Sequence, residues 1–143
     1  MARVKIELPE NFIFQCDLPV RITDINYGGH VGNDALLSIL HEIRMQFFKY
    51  FGYSEMQFAG AGMLMADVAI EFKSELFYGD IINAAVTAGE FSRIGFDIFY
   101  KLEKQIGEQK KLIAVAKTGM ICYDYEKKKI VGVPEEAKQK LSA

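Results

Sequence analysis

The chain has 143 residues, which fits one domain better than two and allows a hydrophobic core of ordinary size. Half of its residues are hydrophobic and 13% are aromatic, which excludes intrinsic disorder and low-complexity scaffolding. Seventeen basic residues against nineteen acidic ones give a formal charge of −2, which disfavours nucleic acid and anionic lipid as partners. A mean hydropathy of +0.06 suggests that some apolar surface is covered in an oligomer.

The two cysteines, Cys16 and Cys122, are far apart in the sequence and have no metal-site or redox-motif spacing. A disulfide framework or zinc site is therefore not expected, and both side chains are interpreted as small core residues. No cofactor or metal is expected. The sequence has no apolar signal region, and no run approaches the roughly 18 apolar residues of a membrane span. These features predict a cytoplasmic protein that does not interact with membranes.

The chain begins with one predicted strand and a structured loop. Residues 12–22 mix Phe, Ile and Val in partial alternation, which predicts a strand with Pro19 at an edge, bulge or end. Residues 23–34 are polar and rich in glycine, so they form a loop that allows close approach of a ligand or of backbone. Asn33 or Asp34 is expected to cap the helix that follows.

The remaining elements are one long helix, four strands and a short helix. Apolar residues spaced by three and four predict a helix over 34–51, with Gly52 in the position of a terminating glycine. A loop at 53–63 follows the helix. Period-two patterns then predict strands over 64–73, 81–92, 95–104 and 111–125.

The last strand leads to the charged run 126–129, interpreted as a solvated hairpin tip, and Pro134 begins a short terminal helix. This order predicts an α+β fold in which the long helix lies across one face of a mostly antiparallel sheet. Because one helix covers only one face, the strand edges and the far face of the sheet favour self-association.

The segment VRITDINYGGHVGNDALLSILHEIR resembles the opening motif of hotdog-fold thioesterases of the 4-hydroxybenzoyl-CoA thioesterase type, D-x-D-x-x-G-H-V-x-N before a central helix. The later segments VAIEFKSELFYGDIINAAV and LIAVAKTGMICYDYEKKKIVGVPEEAKQKL are also similar to this family. The resemblance covers nearly the whole chain and implies a single domain over 1–143. It implies a hotdog fold, a helix wrapped by five or six antiparallel strands, and acyl-thioester sites between the protomers of a homodimer or a dimer of dimers.

The resemblance places five residues of the loop on the family motif. Asp24 falls on the first Asp, Asn26 on the second, Gly29 on the loop glycine, His30 on the next residue and Asn33 at the helix start. The second Asp is the usual catalytic carboxylate in the family, and in this chain it is an amide. Because Asn cannot accept a proton or attack a carbonyl as a carboxylate does, another group is needed as the base.

Plant acyl-carrier-protein thioesterases are similar to this loop in another way. They have Asp, Asn and His in one loop and a glutamate later in the sequence. By this analogy, residues 68–75 resemble a strand with paired glutamates, and Glu71 and Glu75 become candidates for the base.

Thioester hydrolysis also requires donors for the oxyanion of the intermediate. The N–H groups at the start of the long helix are such donors, and Gly32 and Asn33 are expected to supply them. The turn formed by Tyr27, Gly28 and Gly29 is expected to let substrate approach this helix end.

Each candidate also has a purely structural interpretation. Asp24 and Asn26 are common in turns, where their side chains accept backbone N–H groups. His30 could brace the loop by a hydrogen bond, and glutamates on strands such as Glu71 and Glu75 usually face solvent. These alternatives remain open at the level of sequence.

The leading hypothesis is an acyl-CoA or acyl-carrier-protein thioesterase that uses an activated water. In it Asn26 and His30 position the water and the carbonyl, and Asp24, Glu71 or Glu75 supplies the base. A non-catalytic module that binds acyl thioesters is the second hypothesis, made credible by Asn26. A hotdog dehydratase is a third, which requires a His and an acid placed to remove an α-proton.

Overall fold

A computed structural model describes residues 2–142. The chain forms strands, two α-helices and a short 3₁₀ turn in an order that places the long helix after the first strand. The bounds are β1 Phe14–Pro19, a 3₁₀ turn Ile22–Asp24, α1 Asn33–Tyr50, β2 Gly62–Phe72, β3 Ile81–Gly89, β4 Gly95–Ile106, β5 Gln109–Asp124, β6 Lys129–Ile130 and α2 Glu135–Leu141.

The strands form one antiparallel sheet in the order β1-β3-β4-β5-β2, and β6 pairs with the end of β5. Helix α1 packs on one face, called here the inner face, through apolar residues three and four apart. Leu36, Leu40, Ile43 and Phe47 are buried in the same core cluster as Ile98 of β4. The predicted α+β architecture, a long helix against five or six antiparallel strands, is confirmed.

The end of α1 agrees with the sequence. Gly52 has φ +85°, the left-handed conformation that glycine adopts without strain, and its N–H donates to the carbonyl of Lys49 at 3.0 Å. Tyr53 donates to the carbonyl of Phe48 at 2.8 Å, so the last turn of the helix is closed by backbone hydrogen bonds.

The start of α1 differs from the sequence prediction. The capping residue is Gly32, in an extended conformation, whereas Asn33 or Asp34 was expected. Asn33 and Asp34 already belong to the helix. No side chain within residues 2–142 makes a capping hydrogen bond at this end. The first N–H groups of α1 therefore have no side-chain acceptor.

Two strands also end earlier in the chain than the sequence predicted. The strand expected over 12–22 ends at Pro19; Val20 still donates its N–H to the carbonyl of Asp80 at 2.8 Å, and the chain then enters the 3₁₀ turn at Ile22. The strand expected over 81–92 ends at Gly89, because Glu90 has φ +51° and turns the chain. Neither α-helix in the range 2–142 is long and apolar enough to cross a membrane.

Candidate functional site

The loop before α1 is fixed against the segment that follows β2. Val31 forms an isolated antiparallel bridge with Ile25 inside the loop. Its N–H also donates to the carbonyl of Leu76 at 2.9 Å, which joins residues 45 positions apart. This contact brings His30 beside residues 73–76 at the first turn of α1.

A tight turn in the loop is organised by Asn26. Its side-chain Oδ1 accepts the N–H of Gly28 at 2.8 Å, and its carbonyl accepts the N–H of Gly29 at 3.1 Å. The N–H of Asn26 donates to the carbonyl of His30 at 2.9 Å. Gly29 has φ +84°, and Tyr27 is fully exposed at the tip of the turn. Oδ1 of Asn26 is therefore engaged, and Nδ2 is the atom left for a ligand.

The amide Nδ2 of Asn26 lies close to the helix start. A Cβ atom added to Gly32 would be 3.4 Å from this Nδ2, an ordinary contact, and 2.7 Å from Oδ1 of Asp34, whose side chain would have to move. The N–H of Gly32 donates weakly to the carbonyl of Asp24 at 3.4 Å. Gly32 was expected to provide an oxyanion donor; its N–H has this weak acceptor, whereas the N–H groups of Asn33, Asp34 and Ala35 remain as donors at this end.

A cavity of about 280 Å³ opens at this end of α1, between the helix and strands β2 and β5. Four of the residues proposed from sequence lie on it: His30, Gly32, Asn33 and Glu75. Apolar side chains of α1, β2 and β5 form much of the wall. The complete lining is His30, Val31, Gly32, Asn33, Leu36, Phe72, Lys73, Ser74, Glu75, Leu76, Ile113 and Ala114.

The imidazole of His30 has a defined orientation. Its Nδ1 lies 3.1 Å from the carbonyl oxygen of Val31. Because a carbonyl only accepts hydrogen bonds, Nδ1 carries the hydrogen in this arrangement, and in the neutral ring Nε2 has a free lone pair. Among the histidines, His30 is thus the one placed at the cavity with a nitrogen that can accept a proton.

Asp24 does not reach this cavity. Its carboxylate is buried, and Oδ2 accepts the N–H of Arg21 at 2.8 Å, which closes the 3₁₀ turn. The guanidinium of Arg21 is 3.6 Å from Oδ1. Asp24 lines a second cavity of about 440 Å³ with Ser38 and His41 of α1. These contacts support the turn-forming interpretation of Asp24.

The two glutamates proposed as bases are separated by the sheet. Phe72 lines the cavity from the inner face, and the alternation of side chains along β2 places Glu71 on the opposite, outer face. Oε2 of Glu71 accepts the N–H of Ile6 at 2.7 Å, and this hydrogen bond lowers the pKa of the Glu71 carboxyl below its usual value. Glu75 is exposed at the cavity mouth.

Two polar residues of the cavity were not singled out from sequence. Lys73 and Ser74 lie between the two candidate glutamates and line the mouth of the cavity. Both of their N–H groups donate to the carbonyl of Ile113, at 2.8 and 3.1 Å, where β2 leaves the sheet. Their position beside Glu75 in the sequence was the only available signal.

A family model described as the thioesterase-like superfamily matches residues 20–141. The chain is 28% identical over 124 residues to an Aquifex aeolicus (strain VF5) protein named "Putative esterase", a match that covers 85% of this chain and 92% of the relative.

Solved structures give the same fold. An Asp-to-Asn variant of 4-hydroxybenzoyl-CoA thioesterase in complex with 4-hydroxybenzoyl-CoA is similar with a TM-score of 0.81 and 16% identity, covering 90% of this chain and 98% of that one. A 1,4-dihydroxy-2-naphthoyl-CoA thioesterase from Synechocystis is similar with a TM-score of 0.79 and 19% identity, covering 90% and 94%. The hotdog fold implied by the sequence is confirmed, and the chain belongs to the thioesterase-like superfamily.

Proposed function

We propose that this chain hydrolyses acyl-CoA thioesters with water in the cavity at the start of α1. The observation that carries the proposal is the joint position of His30, Glu75 and the first N–H groups of α1 around this one cavity. An acceptor nitrogen, a carboxylate and a helix N-terminus are the groups that water activation and oxyanion stabilisation require. The membership of the chain in the thioesterase-like superfamily supports the same reaction.

In the proposed reaction, Nε2 of His30 removes a proton from water as the oxygen attacks the thioester carbonyl carbon. The N–H groups of Asn33 and Asp34 donate to the resulting oxyanion, where the helix dipole also favours negative charge. The carbon–sulfur bond then breaks, the imidazolium returns its proton to the thiolate of CoA, and the carboxylic acid is released. Glu75 at the cavity mouth stabilises the imidazolium, and Nδ2 of Asn26 orients the attacking water.

The acyl group is proposed to lie in the groove between α1 and the edge strand β2. Leu37 of α1 and Met65, Val68 and Phe72 of β2 are exposed along this groove. A row of apolar side chains is rarely left exposed to water. In this proposal, an acyl chain and a second protomer cover it together. The active unit is therefore proposed to be a homodimer.

A non-catalytic module that binds acyl thioesters is the second candidate. It is favoured by one observation, the amide of Asn26 at the position where the family resemblance expects a carboxylate, with its Oδ1 held by Gly28. Binding requires only the groove and the helix N-terminus, and both are present whether or not a base acts there.

Release of free CoA from short, medium, long and aromatic acyl-CoAs tests the proposal. A blank without substrate corrects for Cys16 and Cys122, which could react with thiol reagents. His30→Gln is expected to reduce kcat by about 10²- to 10⁴-fold, because general-base catalysis contributes on this scale. His41→Gln is the control for kcat: His41 of α1 is hydrogen-bonded to Glu55 at 2.8 Å and lines the groove but not the cavity, so any effect is expected in KM.

Loss of turnover in both histidine variants, or in neither, contradicts the assignment of His30. Absence of turnover on every acyl-CoA, together with a melting temperature that rises with acyl-CoA concentration, favours the binding module. The acyl-carrier alternative is tested by repeating the assay with acylated carrier protein.

A further inference from the structure

The segment before β1 crosses the sheet on the outer face, away from the candidate site. Residues 2–13 lie outside the part of the chain that matches the family model. At one end, Ile13 donates its N–H to the carbonyl of Val86 in β3 at 3.2 Å. At the other end, Ile6 donates to Oε2 of Glu71 in β2 at 2.7 Å. The two contacts are on strands that are not neighbours in the sheet.

The path between these contacts runs across β4 and β5. Lys101, Val115 and Glu71 are register partners and form one row across β4, β5 and β2 on the outer face. Nζ of Lys101 lies 5.9 Å from the ring centre of Phe12, which places the segment over β4. Three strand spacings separate β3 from β2, about 14 Å, and seven extended residues reach about 23 Å. The segment is long enough for an oblique crossing.

Burial on the outer face shows a second apolar layer. Phe99 and Val115 point to the outer face, yet they are only 8% and 5% exposed. Neither belongs to the core cluster that α1 and α2 form with the inner face. Ile6, Leu8 and Phe12 of the crossing segment are half-buried and are also outside that cluster. Segment and outer face therefore shield one another from water.

We propose that residues 2–13 act as an intramolecular strap that occupies the outer face of the sheet and thereby prevents a second copy of this chain from docking there. Without the strap, Phe99 and Val115 would be exposed beside Lys101, Lys117 and Asp97. A surface with an apolar centre and both signs of charge is complementary to a two-fold copy of itself. The proposal does not depend on the reaction assigned above.

Sedimentation velocity over a wide range of concentrations tests the strap. The chain lacking residues 2–11 is expected to form assemblies with twice the mass of those formed by the full chain at the same concentration. The full chain with Leu8→Asp and Phe12→Asp is expected to behave as the truncated chain does, because charged side chains oppose burial of the strap. Full-length Glu7→Ala, which changes an exposed strap residue, is the control and keeps the parent mass.

Hydrogen exchange at the Ile6 amide reports the attachment directly. Protection is expected in the full chain and in Glu71→Gln, whose side-chain oxygen still accepts the N–H, and is expected to fall in Glu71→Ala. A folded truncated chain with the parent mass at every concentration overturns the proposal. If truncation prevents folding, unchanged mass in the Leu8→Asp and Phe12→Asp chain, with Ile6 exchanging freely, overturns it instead.

Discussion

Asn26 holds the loop with one side-chain atom and leaves another near the start of α1. Its Oδ1 accepts the Gly28 N–H, while Nδ2 lies near Gly32 at the helix start. An aspartate at this position would keep the turn with one carboxylate oxygen and place the other where Nδ2 now lies. In the proposed mechanism the amide therefore keeps the turn without supplying the carboxylate that the family resemblance expects here.

Asn26→Asp is therefore expected to retain or raise kcat for hydrolysis, because a carboxylate at the helix start is a competent base. In this variant, adding His30→Gln should cost much less than the same substitution does in the parent chain. The acid limb of the pH–rate profile should also move to lower pH as a carboxylate replaces an imidazole in the role of base. Steady-state kinetics of the parent chain, Asn26→Asp, His30→Gln and the double variant measure both effects.

Asn26→Ala is the matched control, since it removes the oxygen that accepts the Gly28 N–H and should lower kcat by about 10²-fold. A folded Asn26→Asp chain without activity would show that Nδ2 has an essential donor role that a carboxylate cannot take.

At the scale of elements, local sequence patterns predicted the type and order of the helices and strands well. They did not predict which elements contact one another in space. The three- and four-residue spacing of α1, its terminating Gly52 and the four later strands all follow from local sequence patterns. The Val31 to Leu76 hydrogen bond does not, because it joins distant segments with no local pattern. That contact joins the loop to residues beside Glu75, and Glu75, not Asp24, lines the cavity with His30.

The position of Glu71 was missed for a related reason. Period-two alternation determines that Glu71 and Phe72 face opposite sides of β2, but it does not determine which side carries the helix. The strap was also absent from the prediction, because residues 2–13 have neither a regular apolar period nor a motif. Both features depend on tertiary packing.

Edge strand β2 has a bulge between Met65 and Asp67. The Asp67 side chain makes a pH-dependent contact there. Oδ1 of Asp67 accepts hydrogen bonds from Nζ of Lys117 at 2.8 Å and from the N–H of Gly119 at 3.0 Å. The Lys117 hydrogen bond in particular lowers the pKa of Asp67 from its ordinary value of 3.8. A carboxyl with a lowered pKa stabilises the fold above its ordinary pKa, and this stability is lost as pH falls through the lowered value.

Asp67→Asn is accordingly expected to lower the melting temperature near neutral pH and to have little effect once the pH is well below 3.8. The asparagine keeps an oxygen for the Gly119 N–H, so the difference reports charge and not the bulge itself. In a Lys117→Met background the pH-dependent part of the difference should be strongly reduced. Thermal melts across the acid range measure this, and a difference independent of pH would contradict the argument.

The whole molecule leaves one long strand edge without a partner within residues 2–142. Strand β2 pairs only with β5, so its other side has no neighbouring strand; near its start the N–H of Met63 donates to the carbonyl of Glu55 at 2.7 Å, and the edge is open beyond that point. The exposed side chains of Met65, Val68 and Leu37 flank this edge. Natural proteins rarely leave such an edge uncovered, and antiparallel pairing of β2 with a two-fold copy would satisfy both the backbone and the apolar groove.

Val68→Arg is therefore expected to shift the chain from dimer to monomer and to reduce turnover together with the dimer fraction, because the acyl groove is proposed to be completed by the second protomer. Ile106→Arg is the matched control: Ile106 is similarly apolar and exposed, but it lies at the end of β4, away from the edge. Its assembly and turnover should equal those of the parent. Light scattering and CoA release on the same samples give both quantities, and a monomeric Val68→Arg chain with full turnover would show that one protomer contains the complete site.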